Sequence, residues 1–275
     1  MKKRLKRTSR NQETNHEAVH GNILKKAKPV SETDDYVTAL FYGRSGTGKT
    51  TLASTFPKKI LLLDFKDKGT DSIKDVEDID VIVVNEWSEV EEVYWALKKG
   101  SHGYETLAVD TISGMQTIAI QQVKVDSKMK QEEALSRRNW GEVSSMMSTW
   151  LMNFRDLELH VVFLAPDRTK NTKDEEEEQE HEEGQLEPEV GPAVIPSIAR
   201  IVNAAVKVIG NTYIKQTYKT VEGKRVIRTG YMLRVGPNPF YITKIRSPKS
   251  FATPGSIFNP SFEKIRKIMK GEELK

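Results

Sequence analysis

The stretch Gly43-Arg44-Ser45-Gly46-Thr47-Gly48-Lys49-Thr50 constrains this chain more than any other. It matches the pattern G-x-x-x-x-G-K-[ST] in full. An apolar run over residues 37–42 leads into it, and a helical pattern over 49–56 leads out. A short apolar run closed by glycine reads as a buried strand. The glycines let the backbone wrap an anion with its N–H groups, and the positive end of the following helix points at the same place. The stretch therefore predicts a phosphate loop. Residues Gly43 to Thr51 cradle a nucleotide, Lys49 reaches the β- and γ-phosphates, and the Thr50 hydroxyl holds Mg²⁺. A chance glycine-rich turn would not explain the strand before it and the helix after it.

Four more apolar runs follow, at residues 60–64, 81–84, 106–110 and 160–165. Between them lie helical patterns. Ser88 with Glu91 three residues on reads as a capping box opening a helix to Lys99, ahead of Gly100. Residues 111–130 and 140–157 are longer ones. Strands alternating with helices predict an α/β fold with a mainly parallel sheet covered on both faces. After residue 190 the pattern changes to a short helix at 196–203 and antiparallel strands at 205–209, 213–221, 224–235 and 240–245. Glu222-Gly223 reads as a hairpin turn, and Ser261 and Gly271 bracket a last helix. The expected organisation is a basic, polar tail over 1–35, one ATPase domain over 36–250 with an acidic loop at 170–190, and a C-terminal tail with a short helix over 251–275.

A phosphate loop needs a carboxylate to position Mg²⁺ through water. Asp110 ends the apolar strand Leu107-Ala108-Val109-Asp110, the Walker B arrangement; capping the helix that starts at Thr111 is its alternative role. Hydrolysis also needs a group that orients or deprotonates water. Asp64 and Asp67, just past the second strand, are the two candidates. Nothing resembles the N-K-x-D segment of a GTPase, and Asp110-Thr111-Ile112-Ser113-Gly114 is not D-x-x-G. No arginine-rich lid of the kind kinases carry is present.

Charge narrows the partners. Lys and Arg number 43 against 39 Asp and Glu. Eight of the acids sit in residues 174–183, so the remainder carries 43 minus 31, or +12. Six of the first ten residues are Lys or Arg. A basic body with one acidic insert points to an anionic partner, nucleic acid first. The chain has no cysteine, which excludes disulfide scaffolds, zinc–thiolate sites and cysteine nucleophiles and fits a cytoplasmic protein. No apolar run approaches the roughly 20 residues that cross a bilayer, and no secretory signal is recognisable; no membrane partner is expected.

In order along the chain, these pieces resemble phage-encoded RecA-like P-loop ATPases of the single-strand-annealing recombinase group. The likeness covers about residues 36–250. It rests on the phosphate loop through Ala53, Phe56-Pro57, Leu62-Leu63-Asp64, Lys68-Gly69-Thr70-Asp71-Ser72-Ile73, Thr106 to Thr111, Asn139-Trp140-Gly141, His160 to Phe163, and Ile242-Thr243-Lys244-Ile245-Arg246. The resemblance implies a RecA-like core that binds ATP and Mg²⁺, assembles into a ring or filament on single-stranded DNA and promotes annealing or strand exchange. A single-strand-binding protein is a further expected partner. Lys244 and Arg246 match a Lys-x-Arg pair that reaches a neighbouring subunit's ATP. The alternative is two basic side chains sharing one face of an edge strand.

Two departures from the family pattern stand out. Lys66-Asp67 occupies the place of the catalytic acid, which makes Asp67 the candidate and implies slow hydrolysis. The fifth strand ends in Ala165-Pro166-Asp167-Arg168 without the usual sensor Gln, leaving Asp167 or Arg168 as the alternative substitutes. The acidic block repels phosphates, so Arg168, Lys170, Lys173 and the tail residues Lys2, Lys3, Arg4, Lys6, Arg7 and Arg10 are the better phosphate candidates, with a merely solubilising tail an equal reading of the last six. Tyr94, Trp95, Trp140 and Trp150 lie in helical patterns and read as core. Two other functions remain open: a P-loop ATPase acting on a protein partner, such as a helicase loader or packaging accessory, and an ATP-dependent assembly switch with little hydrolysis.

Overall fold

The computed structural model describes residues 25, 27–29, 35–66, 69–169, 190–221 and 224–274. The chain divides into Met1–Asp35 and Tyr36–Lys275. Described residues of the first unit form no helix or strand. Most of the expected basic tail and acidic loop, and the Glu222-Gly223 turn, lie outside the described residues.

In the second unit the apolar runs become strands. β1 (Thr38–Tyr42), β2 (Ile60–Asp64), β4 (Thr106–Asp110) and β5 (His160–Ala165) are buried along their whole length, as apolar runs covered on both faces must be. β3 (Ile79–Val83) is only partly covered, because it forms one edge of the sheet. The order β1-β5-β4-β2-β3 is parallel throughout. β5 thus stands between the strand that leads into the phosphate loop and the strand that ends in Asp110.

Helices cover both faces. On one side α2 (Trp87–Lys98), α3 (Ile112–Asp126), α4 (Arg137–Arg155) and α5 (Pro196–Ala205) bury Val90, Met115, Met147, Phe154 and Val202. On the other, α1 (Lys49–Ala53) and α6 (Phe262–Lys270) bury Leu52, Ile265 and Ile268. Helix α2 starts at Trp87, with Glu86 and Glu89 as reciprocal caps, rather than at the expected Ser88 and Glu91. Trp87 is 4% exposed, so its burial draws the helix start upstream. Ser88 then falls in the first turn and donates to Glu86 Oε1 at 2.9 Å.

The C-terminal strands extend the sheet beyond β1. The two strands expected at 205–209 and 213–221 are one, β8 (Val208–Val221), parallel to β1 and antiparallel to β9 (Lys224–Arg234). They merge because Asn211 pairs with Tyr42 on one side and Arg234 on the other. A short ladder joins β6 (Asp167–Thr169) to β7 (Val190–Pro192). Of the strand expected at 240–245, only β10 (Lys244–Ile245) forms, against β8. Residues 251–274, expected as a tail, are part of the body. β11 (Ser256–Phe258) pairs with β9, and Phe262 of α6 lies 4.7 Å from Phe56, ring to ring. No helix among the described residues is long and apolar enough to cross a membrane.

Candidate functional site

The site is built where β1, β2 and β4 end. Gly48, the residue before α1, has φ 86° and ψ 24°, a left-handed conformation costing an L-residue with a side chain about 1–2 kcal/mol. A Cβ there would also meet the Tyr231 ring of β9 at 3.2 Å. Thr47 Oγ1 shares a hydrogen bond with Thr212 Oγ1 at 2.7 Å, which ties the loop to β8. Lys49 Nζ donates to the Gly43 and Arg44 carbonyls at 2.8 and 3.0 Å. The ammonium is therefore held against the inner wall of the loop.

Asp110 is 4% exposed and stands level with Asp64 of β2 in the sheet register. The Thr50 hydroxyl donates to Asp110 Oδ2 at 2.8 Å. Capping of α3 falls instead to Thr111, whose hydroxyl oxygen accepts from the Gly114 N–H at 3.1 Å. The two possible roles of Asp110 are thereby separated: its neighbour caps, and its carboxylate meets Thr50. Beside this pair Gly69 opens a 3₁₀ turn, Gly69–Ile73. A Cβ on Gly69 would lie 3.1 Å from Thr50 Oγ1 and 3.2 Å from Asp110 Oδ2. A hydroxyl, a carboxylate and space beside both fit a small hard cation with oxygen ligands.

These groups open onto a cleft of about 520 Å³, within the usual size of a small-molecule site. Asp71 and Ser72 of the 3₁₀ turn line it, as do Pro166 and Tyr231. None of these four was expected there. Asp71 belongs to the Gly69-Thr70-Asp71-Ser72 segment that carried part of the family resemblance, so a signal existed for it; it also pairs with Lys74 at 2.6 Å. Tyr231 comes from a strand more than 180 positions downstream of the loop, and no local pattern announces it.

The remaining candidates are placed as follows. Asp67 lies outside the described residues. Asp64, its alternative, is buried at the end of β2. Pro166 faces the cleft, while Asp167 and Arg168 turn into the ladder with β7, and Arg168 Nη1 lies 3.5 Å from the Val194 carbonyl. β10 runs antiparallel to β8, with Lys244 opposite Ile209 and the Arg246 N–H donating to the Lys207 carbonyl at 3.2 Å. From 244 to 246 the chain therefore runs away from the phosphate-loop end of its own sheet. Lys244 Nζ donates to the Asn203 and Ala204 carbonyls at 2.7 and 3.3 Å, at the C-terminal end of α5. Burial lowers its pKa, and neighbouring Arg246 lowers it further. Arg246 is exposed. Two of the aromatic residues expected in the core are on the surface: Trp95 is 58% and Trp140 39% exposed. Tyr94 and Trp150 pack against the core.

Behind the loop, the Tyr42 hydroxyl shares its one proton between the Ile242 and Val190 carbonyls, at 2.8 and 3.1 Å. Burial pushes the phenol's pKa well up, Tyr241 adds to this, and Arg234 opposes it. Tyr42 is a fixed donor that pins β1 to the segments flanking the β7 ladder.

A parallel sheet with β5 inserted between the loop strand and the Asp110 strand, closed by this phosphate loop, defines a RecA-like P-loop NTPase fold. The family model for an AAA domain matches residues 35–247. The chain belongs to that family and carries its P-loop ATPase domain. A search of curated protein sequences finds no match. Among solved structures, the flagellar accessory protein FlaH from Methanocaldococcus jannaschii is similar at 9% identity, over 72% of this chain and 76% of that one, with a TM-score of 0.34.

Proposed function

We propose that this protein binds ATP with Mg²⁺, hydrolyses it slowly, and acts on single-stranded DNA in phage-type recombination, by annealing or strand exchange. The observation that carries the nucleotide part is the Thr50–Asp110 hydrogen bond of 2.8 Å at the mouth of the phosphate loop. Thr50 directly and Asp110 through water would hold Mg²⁺, which would supply positive charge to offset that of the phosphates. Lys49 binds the β- and γ-phosphates, and the loop N–H groups orient them. Asp71 lines the cleft and is the carboxylate assigned to orient the attacking water; Asp64 and Asp67 are the candidates the sequence offers for the same task. Support for the DNA part is the +12 charge outside the acidic block and the resemblance to the annealing group. Self-association completes the site in this reading. The exposed Arg246 of one subunit approaches the γ-phosphate held by its neighbour, where a cation stabilises charge that grows in the transition state; Lys244, whose ammonium caps α5, would have to leave those carbonyls to join it. A single-strand-binding protein and the host cytoplasm complete the setting.

The test is ATP turnover with and without single-stranded DNA. Stimulation by DNA supports the reading. Turnover indifferent to DNA, in a protein that also fails to bind it at low salt, moves the function to an ATPase with a protein partner.

A further inference from the structure

β8 and β9 continue past the body as a two-stranded arm. β8 pairs with β1 only as far as Asn211, whereas its ladder with β9 runs on to the Val221–Lys224 pair. Residues 211–234 contain six Lys or Arg and a single Glu. Strand alternation gives the arm two faces. The inner face carries Thr212 and Tyr231, which touch the phosphate loop at Thr47 and Gly48. The outer face carries Lys215, directly opposite Gly230 in the ladder, and Arg228, two residues from Gly230 along β9, both exposed.

Gly230 leaves room for an aromatic ring. The ring of Phe258, from neighbouring β11, lies across its backbone, and a Cβ on Gly230 would stand 2.5 Å from Phe258 Cε2. Lys215 is the direct partner of Gly230, and Arg228 follows two residues along β9. Phe258 remains 58% exposed. The outer face thus presents an exposed aromatic ring over Gly230, with Lys215 and Arg228 on the same face of the ladder.

We propose that single-stranded DNA binds across this outer face, a base stacking on Phe258 and phosphates pairing with Lys215 and Arg228. Any base can stack on an exposed ring, and cations spaced along a strand track the phosphate backbone; together they bind single strands without reading sequence. The opposite face of the same two strands touches the phosphate loop, so occupancy of one side is transmitted to the other through Tyr231 and Thr212. A second copy of the chain is a poorer occupant, because a face of net positive charge repels its own kind. The proposal rests on the DNA reading above and supplies its site.

The experiment is fluorescence anisotropy of a labelled oligothymidylate with the full chain, beside ATP turnover. Phe258→Leu removes the ring and keeps the bulk; DNA affinity is expected to fall about 5- to 150-fold, and Phe258→Trp to retain it. Lys215→Gln with Arg228→Gln should reduce the log–log salt slope by about 1.4, at roughly 0.7 per phosphate contact. Basal turnover without DNA should be unchanged in all three, while its stimulation by DNA is lost with binding. These side chains are exposed, and a melting curve checks the fold. Wild-type binding with undiminished binding by the variants overturns this site alone. Wild-type protein that binds no DNA overturns both this site and the DNA reading. Variants that retain DNA affinity yet lose self-association in sedimentation would make the face an interface between copies and refute the proposal.

Discussion

Gly69→Ala tests the metal half of the site without touching Thr50 or Asp110. The added Cβ would stand 3.1 Å from Thr50 Oγ1 and 3.2 Å from Asp110 Oδ2. These separations are tight but tolerable: the neighbours need to give by only a few tenths of an ångström, so the fold should survive with little loss. The ion is less forgiving. Mg²⁺ holds its oxygen ligands at 2.0–2.1 Å in near-ideal octahedral geometry and keeps several waters. A methyl group packed against both oxygens removes room for a water linking Thr50-bound Mg²⁺ to Asp110. Losing one hydrogen bond to a charged group costs about 1.5–3 kcal/mol, which is about a 10- to 150-fold loss of Mg²⁺ affinity. The assay is binding of a fluorescent ATP analogue titrated with Mg²⁺, against the same titration in EDTA. Metal-free nucleotide binding should be nearly wild-type, and the Mg²⁺ midpoint should rise by that factor. An unchanged midpoint in a folded Gly69→Ala protein would show that the ion does not sit between Thr50 and Asp110.

Further outcomes follow from other parts of the structure. Lys49→Ala is expected to abolish ATP turnover with the fold intact; persistent turnover in the folded variant refutes the ATPase reading. Arg246→Ala should lower turnover far more than nucleotide affinity, because phosphate binding comes from the loop of the subunit's own chain. Mixing it with Lys49→Ala protein should restore activity if sites are shared, and co-assembly without restoration removes Lys244 and Arg246 from the site. Ile268→Ala, at a fully buried position of α6, should destabilise the protein by about 2–5 kcal/mol; a change near zero in chemical denaturation would mean that residues 251–274 are a tail after all. Asp80 pairs with Lys59 and accepts from the Tyr104 hydroxyl at 2.7 Å, and its pKa is lowered mainly by Lys59 and then Tyr104. A depressed carboxyl contributes stability above its unfolded pKa of roughly 4 and loses it as pH falls through the folded value. Asp80→Asn should therefore flatten the fall in melting temperature across that acidic range, and an unaltered pH profile would contradict it.

Local residue order was enough for the parts of the site that neighbouring residues make. The phosphate loop, its entering strand and its exiting helix lie within one short stretch, and glycine positions, apolar run and Lys49-Thr50 each carry their own chemistry. Asp110 was legible for a similar reason, since an apolar strand ending in an acid places that acid at the end of the strand, where the loop-bearing strands also end. Strand existence also followed from apolar runs bounded by glycine or acid, because burial on both faces demands them. Folding alone decided which strands are neighbours. Insertion of β5 between β1 and β4 depends on long-range pairing that no local pattern encodes, and it sets the distance across which Thr50 meets Asp110. The merging of two expected strands into β8 needed Asn211 to find partners on both sides. Tyr231, Thr212 and Phe258 reach the loop or the arm's outer face only because β8, β9 and β11 lie side by side, far apart in sequence. The helix α6 shows the same limit from the other direction: an amphipathic pattern fits a loose tail and a packed helix equally well. It became part of the core because the second face of the sheet stayed apolar around Leu52, Phe56 and Val235, and only the assembled sheet presents that surface.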